Sequence, residues 1–141
     1  MKITFVTSNK HKVEEFKVIL DGVASLEHIE LEYPEIRSDD SGEIAKVAAK
    51  QLAESLGKTV IVEDSGLFIS TVSGFPGTCS AYIHKRIGLK GILALLKGKK
   101  DRSAEYISAV GYCEVGKDPL AFVGSEKGTI APAMKGEHGF G

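Results

Sequence analysis

Residues 60 to 67 read Val-Ile-Val-Glu-Asp-Ser-Gly-Leu, an apolar run that stops at two adjacent carboxylates, Glu63 and Asp64. A β-branched run reads as a buried strand, and ligand sites in open α/β sheets gather just beyond the carboxyl ends of strands. Carboxylates in that position can hold a divalent cation or take a proton from water. The same pattern also suits a polar strand end that caps the next turn, so the other residues have to decide.

A second chemical feature is Thr7-Ser8-Asn9-Lys10-His11-Lys12, which joins an N-terminal strand to a helix. Free N–H groups at a helix start attract anions, and Lys10 and Lys12 add charge, so the place suits a phosphate chain. The glycine pattern and Lys-Ser/Thr ending of a Walker A loop are missing. Taken alone, the segment reads first as a capped turn with exposed lysines. Glu35, Glu43 and the Glu63-Asp64 pair supply the opposite charge. Mg²⁺ is held by one or two carboxylates together with phosphate oxygens and water, so Glu35 and Asp64 would suffice. On local sequence Glu35 is equally a solvated loop carboxylate, and Glu43 is the capping partner of Asp40.

The elements that must position these groups follow from periodicity. Lys2 to Thr7 reads as a strand, and Val13, Phe16, Ile19 and Leu20 recur at helical spacing before Asp21-Gly22. His28 to Leu31 alternates as a short strand, and Tyr33-Pro34-Glu35-Ile36 forces an extended turn. Asp40 and Glu43 open a helix with the stripe Ile44, Ala48, Leu52 and Leu56, which Gly57 ends. Ser73-Gly74-Phe75-Pro76-Gly77 is either a tight connection or a ligand rim. Ile87 to Leu96 reads as one or two short helices, with Gly88 and Gly91 blurring the boundary. A long strand over 104–112 and a partner over Leu120 to Val123, joined by Gly116-Lys117-Asp118-Pro119, make a late hairpin. Strand-helix alternation followed by a hairpin predicts an α/β fold with a mixed sheet.

Composition narrows the class. At 141 residues the chain fits one domain, residues 1–141, able to bury roughly two-thirds of its unfolded surface. With 43% hydrophobic residues, 26% charged and a net charge of -1, neither a disordered tail nor a basic surface for a nucleic acid polymer is indicated. Cys79 and Cys113 lack Cys-x-x-Cys spacing, and nothing resembling a signal peptide precedes the first strand. No apolar run reaches the roughly 18 to 20 residues of a membrane span, and the histidines lack ligand spacing. The expectation is a cytoplasmic protein with no membrane partner.

Three separated segments then carry a resemblance: Thr7-Ser8-Asn9-x-x-Lys12-x-x-Glu15, Val62-Glu63-Asp64-Ser65-Gly66-Leu67 with Gly74-x-Pro76-Gly77-x-x-Ser80-Ala81, and Gly136-x-x-Gly139-Phe140-Gly141. Together they resemble the inosine triphosphate pyrophosphatase family, in order and at the family's spacing across the chain. The resemblance implies an elongated twisted mixed sheet flanked by helices, two lobes around a nucleotide cleft, and a homodimer. It implies Mg²⁺-dependent hydrolysis of nonstandard purine nucleoside triphosphates (ITP, dITP, XTP) to the monophosphate and pyrophosphate, cleansing the nucleotide pool. By position, Thr7, Ser8, Asn9, Lys10, His11 and Lys12 would hold the triphosphate. Ser65, Gly139, Phe140 and Gly141 would also contact the substrate. Glu35 and Asp64 would hold the metal, with Asp64 also the base. Lys12 would stabilise the departing pyrophosphate, with no covalent intermediate, and beside a cation Asp64 is expected to be ionised at neutral pH.

The chain departs from the family pattern twice. A phosphate-binding lysine of the family, five residues after the position of Glu43, is replaced by Ala48, which falls on the apolar stripe. The chain also stops at Gly139-Phe140-Gly141, where the family continues with Tyr-Asp-Pro and a base-reading segment. The favoured reading is a fragment of a longer enzyme. The alternative is a catalytically weak or idle nucleotide-binding or dimerisation module. A septum-inhibitor type of pyrophosphatase is a third reading, opposed by the Glu-Asp-Ser-Gly-Leu and Gly-x-Pro-Gly signatures.

Overall fold

The computed structural model of the chain describes residues 1–137. Its elements run β1 (Lys2–Val6), α1 (Lys10–Ile19), β2 (Ser25–Ile29), α2 (Ser41–Leu56), β3 (Val60–Ile69), a 3-10 turn (Ser70–Val72), β4 (Pro76–Gly77), α3 (Ser80–Leu95), β5 (Ser103–Cys113) and β6 (Leu120–Thr129). The strands form one sheet in the order β2-β1-β3-β5-β6, with β4 attached to β3. β1 pairs in parallel with β2 and β3, while β4 is antiparallel to β3, so the sheet is mixed as expected. Two compact units divide the chain: Met1–Asp64 with Ala109–Val123, and Ser65–Ser108 with the residues from Gly124 onward. No helix among the described residues is long and apolar enough to cross a membrane.

Strand parity organises the first unit. Successive strand residues point to opposite faces. Val6, Val60, Val62, Ala109 and Cys113 pack with Ala45, Ala48, Ala49, Leu52 and Ala53 of α2. Ile3, Phe5 and Ile61 turn the other way, onto Val13 of α1, with Phe16, Leu20, Val110 and Tyr112 around them. Ala48 is 3% exposed, so it serves as the packing residue its place on the stripe predicts. Close approach of helix and sheet depends on Gly111, where an added Cβ would lie 2.2 Å from the Ala45 carbonyl oxygen.

Asp40 caps α2, its side chain accepting from the N–H groups of Gly42 at 2.9 Å and Glu43 at 3.2 Å. The return half of the predicted capping box runs through a relay: the Asp40 N–H donates to Ser38 Oγ, which donates to the Glu43 carboxylate at 2.8 Å. At the far end Gly57 takes the left-handed conformation, φ 63°, that stops a helix without a steric penalty.

In the second unit Ile69, Ile92, Leu96 and Ala104 form the core. Ser80 ties its strands together: its Oγ accepts from the Leu67 N–H at 2.8 Å and donates to the Gly77 carbonyl at 2.6 Å. Gly66 must be glycine, since a Cβ there would meet the Gly77 carbonyl oxygen at 2.2 Å.

Four expectations shift. β2 lies at Ser25–Ile29, three residues earlier than read, because its register is fixed by full pairing with Lys2–Val6. β3 does not stop at Glu63 but runs through the carboxylates to Ile69, where β4 gives it a new partner. The Gly-x-Pro-Gly loop is therefore a tight connection with a strand inside it. α3 begins at Ser80, well before Ile87, and its predicted break falls at Gly88, whose φ of 64° is non-helical. β6 extends to Thr129, six residues past Val123.

Candidate active site

The parity that separates the two cores also separates Glu63 from Asp64. Glu63 follows the face of Ile61, toward α1; Asp64 follows Val60 and Val62, toward α2. β1 pairs with β3 only at Thr4↔Val60 and Phe5↔Ile61 and ends at Val6. The carboxylates thus lie just past the carboxyl end of β1, where the turn into α1 begins.

That turn is closely built. The Thr7 N–H donates to the Ile29 carbonyl at 3.2 Å, His28 Nε2 sits 2.8 Å from the Thr7 carbonyl, and the Asn9 N–H donates to Thr7 Oγ1 at 3.1 Å. Asn9 Oδ1 caps α1 by accepting from the N–H groups of His11 at 3.0 Å and Lys12 at 3.3 Å. Two of the amides expected to face an anion are therefore already engaged by the cap. Ser8, Lys10 and His11 are exposed, and Thr7 and Asn9 are half-buried.

Lys12 reaches from the first turn of α1 to ion-pair with Glu63 Oε2, and the two side chains keep 23% and 5% of their surface. Asp64 Oδ2 is buried with no hydrogen bond of ordinary geometry among the described residues, and the buried hydroxyl of Ser41, at the start of α2, lies near enough to act on the Asp64 carboxyl. Burial raises the Asp64 carboxyl to about 7, the negative charges of Glu35 and Glu63 add to the rise, and Lys12 and the nearby Ser41 oppose it. Glu35 lies in an exposed segment, yet its carboxyl is crowded enough that desolvation raises it, with Lys12 pulling it back. Tyr33 completes the group: burial first, then Glu35, Asp64 and Glu63, hold its phenol above the ordinary value.

The structure therefore gathers Lys12, Glu35, Glu63 and Asp64, predicted from sequence, with Tyr33 and Ser41, to which the sequence assigns no chemistry. Nothing local marked those two, since their place depends on the packing of α2 against the sheet. Ser65 belongs to the second unit, where its Oγ accepts from Tyr106 Oη at 3.2 Å. Gly139, Phe140 and Gly141 lie outside the described residues. A groove of about 990 Å³ along α2 and the start of β6 is lined by Glu43, Lys46, Lys50, Leu120 and Val123 among others, but by none of the carboxylate cluster.

Three carboxylates drawn together against one ammonium form an electronegative centre. No group of three or more His, Cys, Asp or Glu side chains among the described residues is arranged to hold a metal by itself. The buried Asp64 oxygen suits a hard cation whose remaining ligands come from substrate and water.

The chain is similar to known proteins over its whole length. A profile of the Ham1 family matches residues 3–141. A dITP/XTP pyrophosphatase of Methanopyrus kandleri is 51% identical over 142 residues, covering 100% of this chain and 76% of that protein. One from Methanothermobacter marburgensis is 44% identical over 141 residues, 99% of this chain and 75% of that protein. Among solved structures, the Staphylococcus aureus Ham1 protein superposes with a TM-score of 0.82 at 26% identity, covering 100% of this chain and 78% of that one. The nucleoside-triphosphatase, or dITP/XTP pyrophosphatase, of Mycobacterium abscessus gives 0.79 at 26% identity, covering 100% and 80%.

Proposed function

Because this chain belongs to the Ham1 family, we propose that it hydrolyses nonstandard purine nucleoside triphosphates of the dITP and XTP type to the monophosphate and pyrophosphate. The observation that carries this reading is the buried Asp64 carboxylate in a cluster with Glu35 and Glu63, with the Lys12 ammonium of α1 paired to Glu63 and near enough to act on Asp64 by its charge. Relatives named dITP/XTP pyrophosphatase, of whose length this chain covers 76% and 75%, support the substrate.

Asp64 and Glu35 would hold Mg²⁺. Bound there with the triphosphate, the ion would offset phosphate charge and polarise the reacting phosphoryl group. Asp64 is the base: it orients a water, whose oxygen bonds to the α-phosphorus as its proton passes to the carboxylate. The bond from the α-phosphorus to the bridging oxygen breaks, and pyrophosphate leaves with that oxygen. Lys12 neutralises charge gathering on the departing pyrophosphate, and Glu63 holds the ammonium at that position. Ser8, Lys10 and His11, open at the start of α1, meet the outer phosphates, while Thr7 and Asn9 shape the turn. A homodimer, Ser65 and Gly139-Phe140-Gly141 as nucleotide contacts, and a cytoplasmic role in cleansing the nucleotide pool belong to the same reading.

Pyrophosphate release with Mg²⁺ tests it. Turnover of dITP and XTP well above that of dATP and GTP is expected; equal turnover of all four, or release of phosphate in place of pyrophosphate, rejects it. Loss of all turnover in this chain, with nucleotide binding retained, favours the idle binding module.

A further inference from the structure

We propose that Tyr33 is a positioning residue for Glu35, its ring anchoring an irregular segment to the α2 face of the sheet so that the Glu35 carboxyl is presented to Asp64. The proposal rests on the metal-site reading above for the consequence of that placement, though not for the anchoring itself.

Residues 30–38 adopt neither helix nor strand, so no ladder or helical repeat fixes Glu35. Within 30–37 every residue except Tyr33 is exposed. Leu31 and Ile36, the other large apolar side chains there, keep 39% and 36% of their surface. Tyr33 instead packs against the buried cluster that includes Val6, Ala48, Leu52 and Val62. That cluster is built on β1, α2 and β3, the elements that also fix Asp64 and Ser41. Pro34 transmits the anchor: the residue before proline is held extended, and in extended chain residues two apart project to the same side. A ring seated on the core at 33 therefore directs the side chain at 35 toward the same face. The ring and its apolar contact carry this role; the hydroxyl does not.

Limited trypsin digestion of the metal-free protein, with mass spectrometry of the Arg37–Ser38 cut, reads the anchoring without reference to activity. Tyr33→Ala should speed that cut about fivefold or more with other sites unchanged, as expected for a locally released segment, and Tyr33→Phe should match wild type. In turnover, Tyr33→Ala should raise the Mg²⁺ concentration for half-maximal rate about tenfold, with Tyr33→Phe restoring it. On a Glu35→Gln background Tyr33→Ala should add less than about twofold, since two residues acting through one contact are not additive. Pro34→Gly, which leaves the core untouched, should show the same direction of effect and keeps the test available if Tyr33→Ala fails to fold. Unchanged cleavage at Arg37 in Tyr33→Ala and Pro34→Gly, or full additivity with Glu35→Gln, overturns the proposal. An unaltered Mg²⁺ requirement in Glu35→Gln alone overturns the metal role of Glu35, while faster Arg37 cleavage still supports the anchoring.

Discussion

Lys12, in the first turn of α1, is ion-paired with Glu63 of β3, with 23% and 5% of the side-chain surfaces exposed. The pair bridges one helix to one strand on the α1 face, while Asp64, the next residue along β3, faces α2 with its Oδ2 buried. Adjacent carboxylates thus have different roles because strand geometry sends them to opposite sides. Glu63 sets the lysine; Asp64 is left open for chemistry.

Removing one partner of such a pair leaves a buried charge uncompensated. Lys12→Ala should destabilise the fold by on the order of 2–3 kcal/mol, below the range for fully buried pairs because Lys12 is partly solvated. Lys12→Ala/Glu63→Gln should recover most of that loss in urea denaturation while remaining catalytically impaired. A double variant as unstable as Lys12→Ala would mean that the Glu63 charge is not the cause.

The open carboxylate is costly to the metal-free fold. Its folded-state value of about 7 lies above the ordinary 3.8, so the proton is bound more tightly folded than unfolded. That contribution to stability is fully present below about pH 4 and is lost as pH rises through about 7. Asp64→Asn should therefore be more stable than wild type at pH 8 in EDTA, by on the order of 1–2 kcal/mol after allowing for solvent screening, and equal to it near pH 4. Denaturation at both pH values checks this; equal stability at pH 8 would show that ionising Asp64 costs the fold nothing.

The same raised carboxyls make cation binding compete with protons. Mg²⁺ binding at pH 7 should release protons, and its affinity should rise between pH 6 and pH 8 as Asp64 ionises. Calorimetry in two buffers of different ionisation enthalpy reads the release directly. Affinity flat across that range would place the ion elsewhere.

In the second unit Gly66 and Ser80 hold the strands in place. Gly66→Ala should cost about 2 kcal/mol or more, because the new Cβ would run into the Gly77 carbonyl. Ser80→Ala should cost about 1–3 kcal/mol by leaving the Leu67 N–H without its acceptor. Thermal melts separate this from a catalytic role for either residue.

Much of this arrangement was legible in the chain. Asn9 and Asp40 announced their helix starts, and the α2 stripe with Ala48 predicted the helix face that is buried. The sequence predicts a shorter β3 because Glu-Asp-Ser-Gly has no strand preference; pairing of Leu67 and Phe68 with β4 overrides that composition. Glu35 acquired a role only through family resemblance, since nothing near it in sequence distinguishes it from a solvated loop carboxylate. Tyr33 and Ser41 stayed hidden for a related reason: each is placed by contacts with residues far along the chain.

Pyrophosphate release from dITP and XTP, measured with Mg²⁺ for wild type and Asp64→Asn side by side, tests the central claim most directly. The account predicts turnover by wild type at least about tenfold above that of GTP, a difference of about 1.4 kcal/mol in barrier, and a loss of about a hundredfold or more in a folded Asp64→Asn. Wild-type turnover without preference for these substrates, or an Asp64→Asn variant as active as wild type, would contradict it.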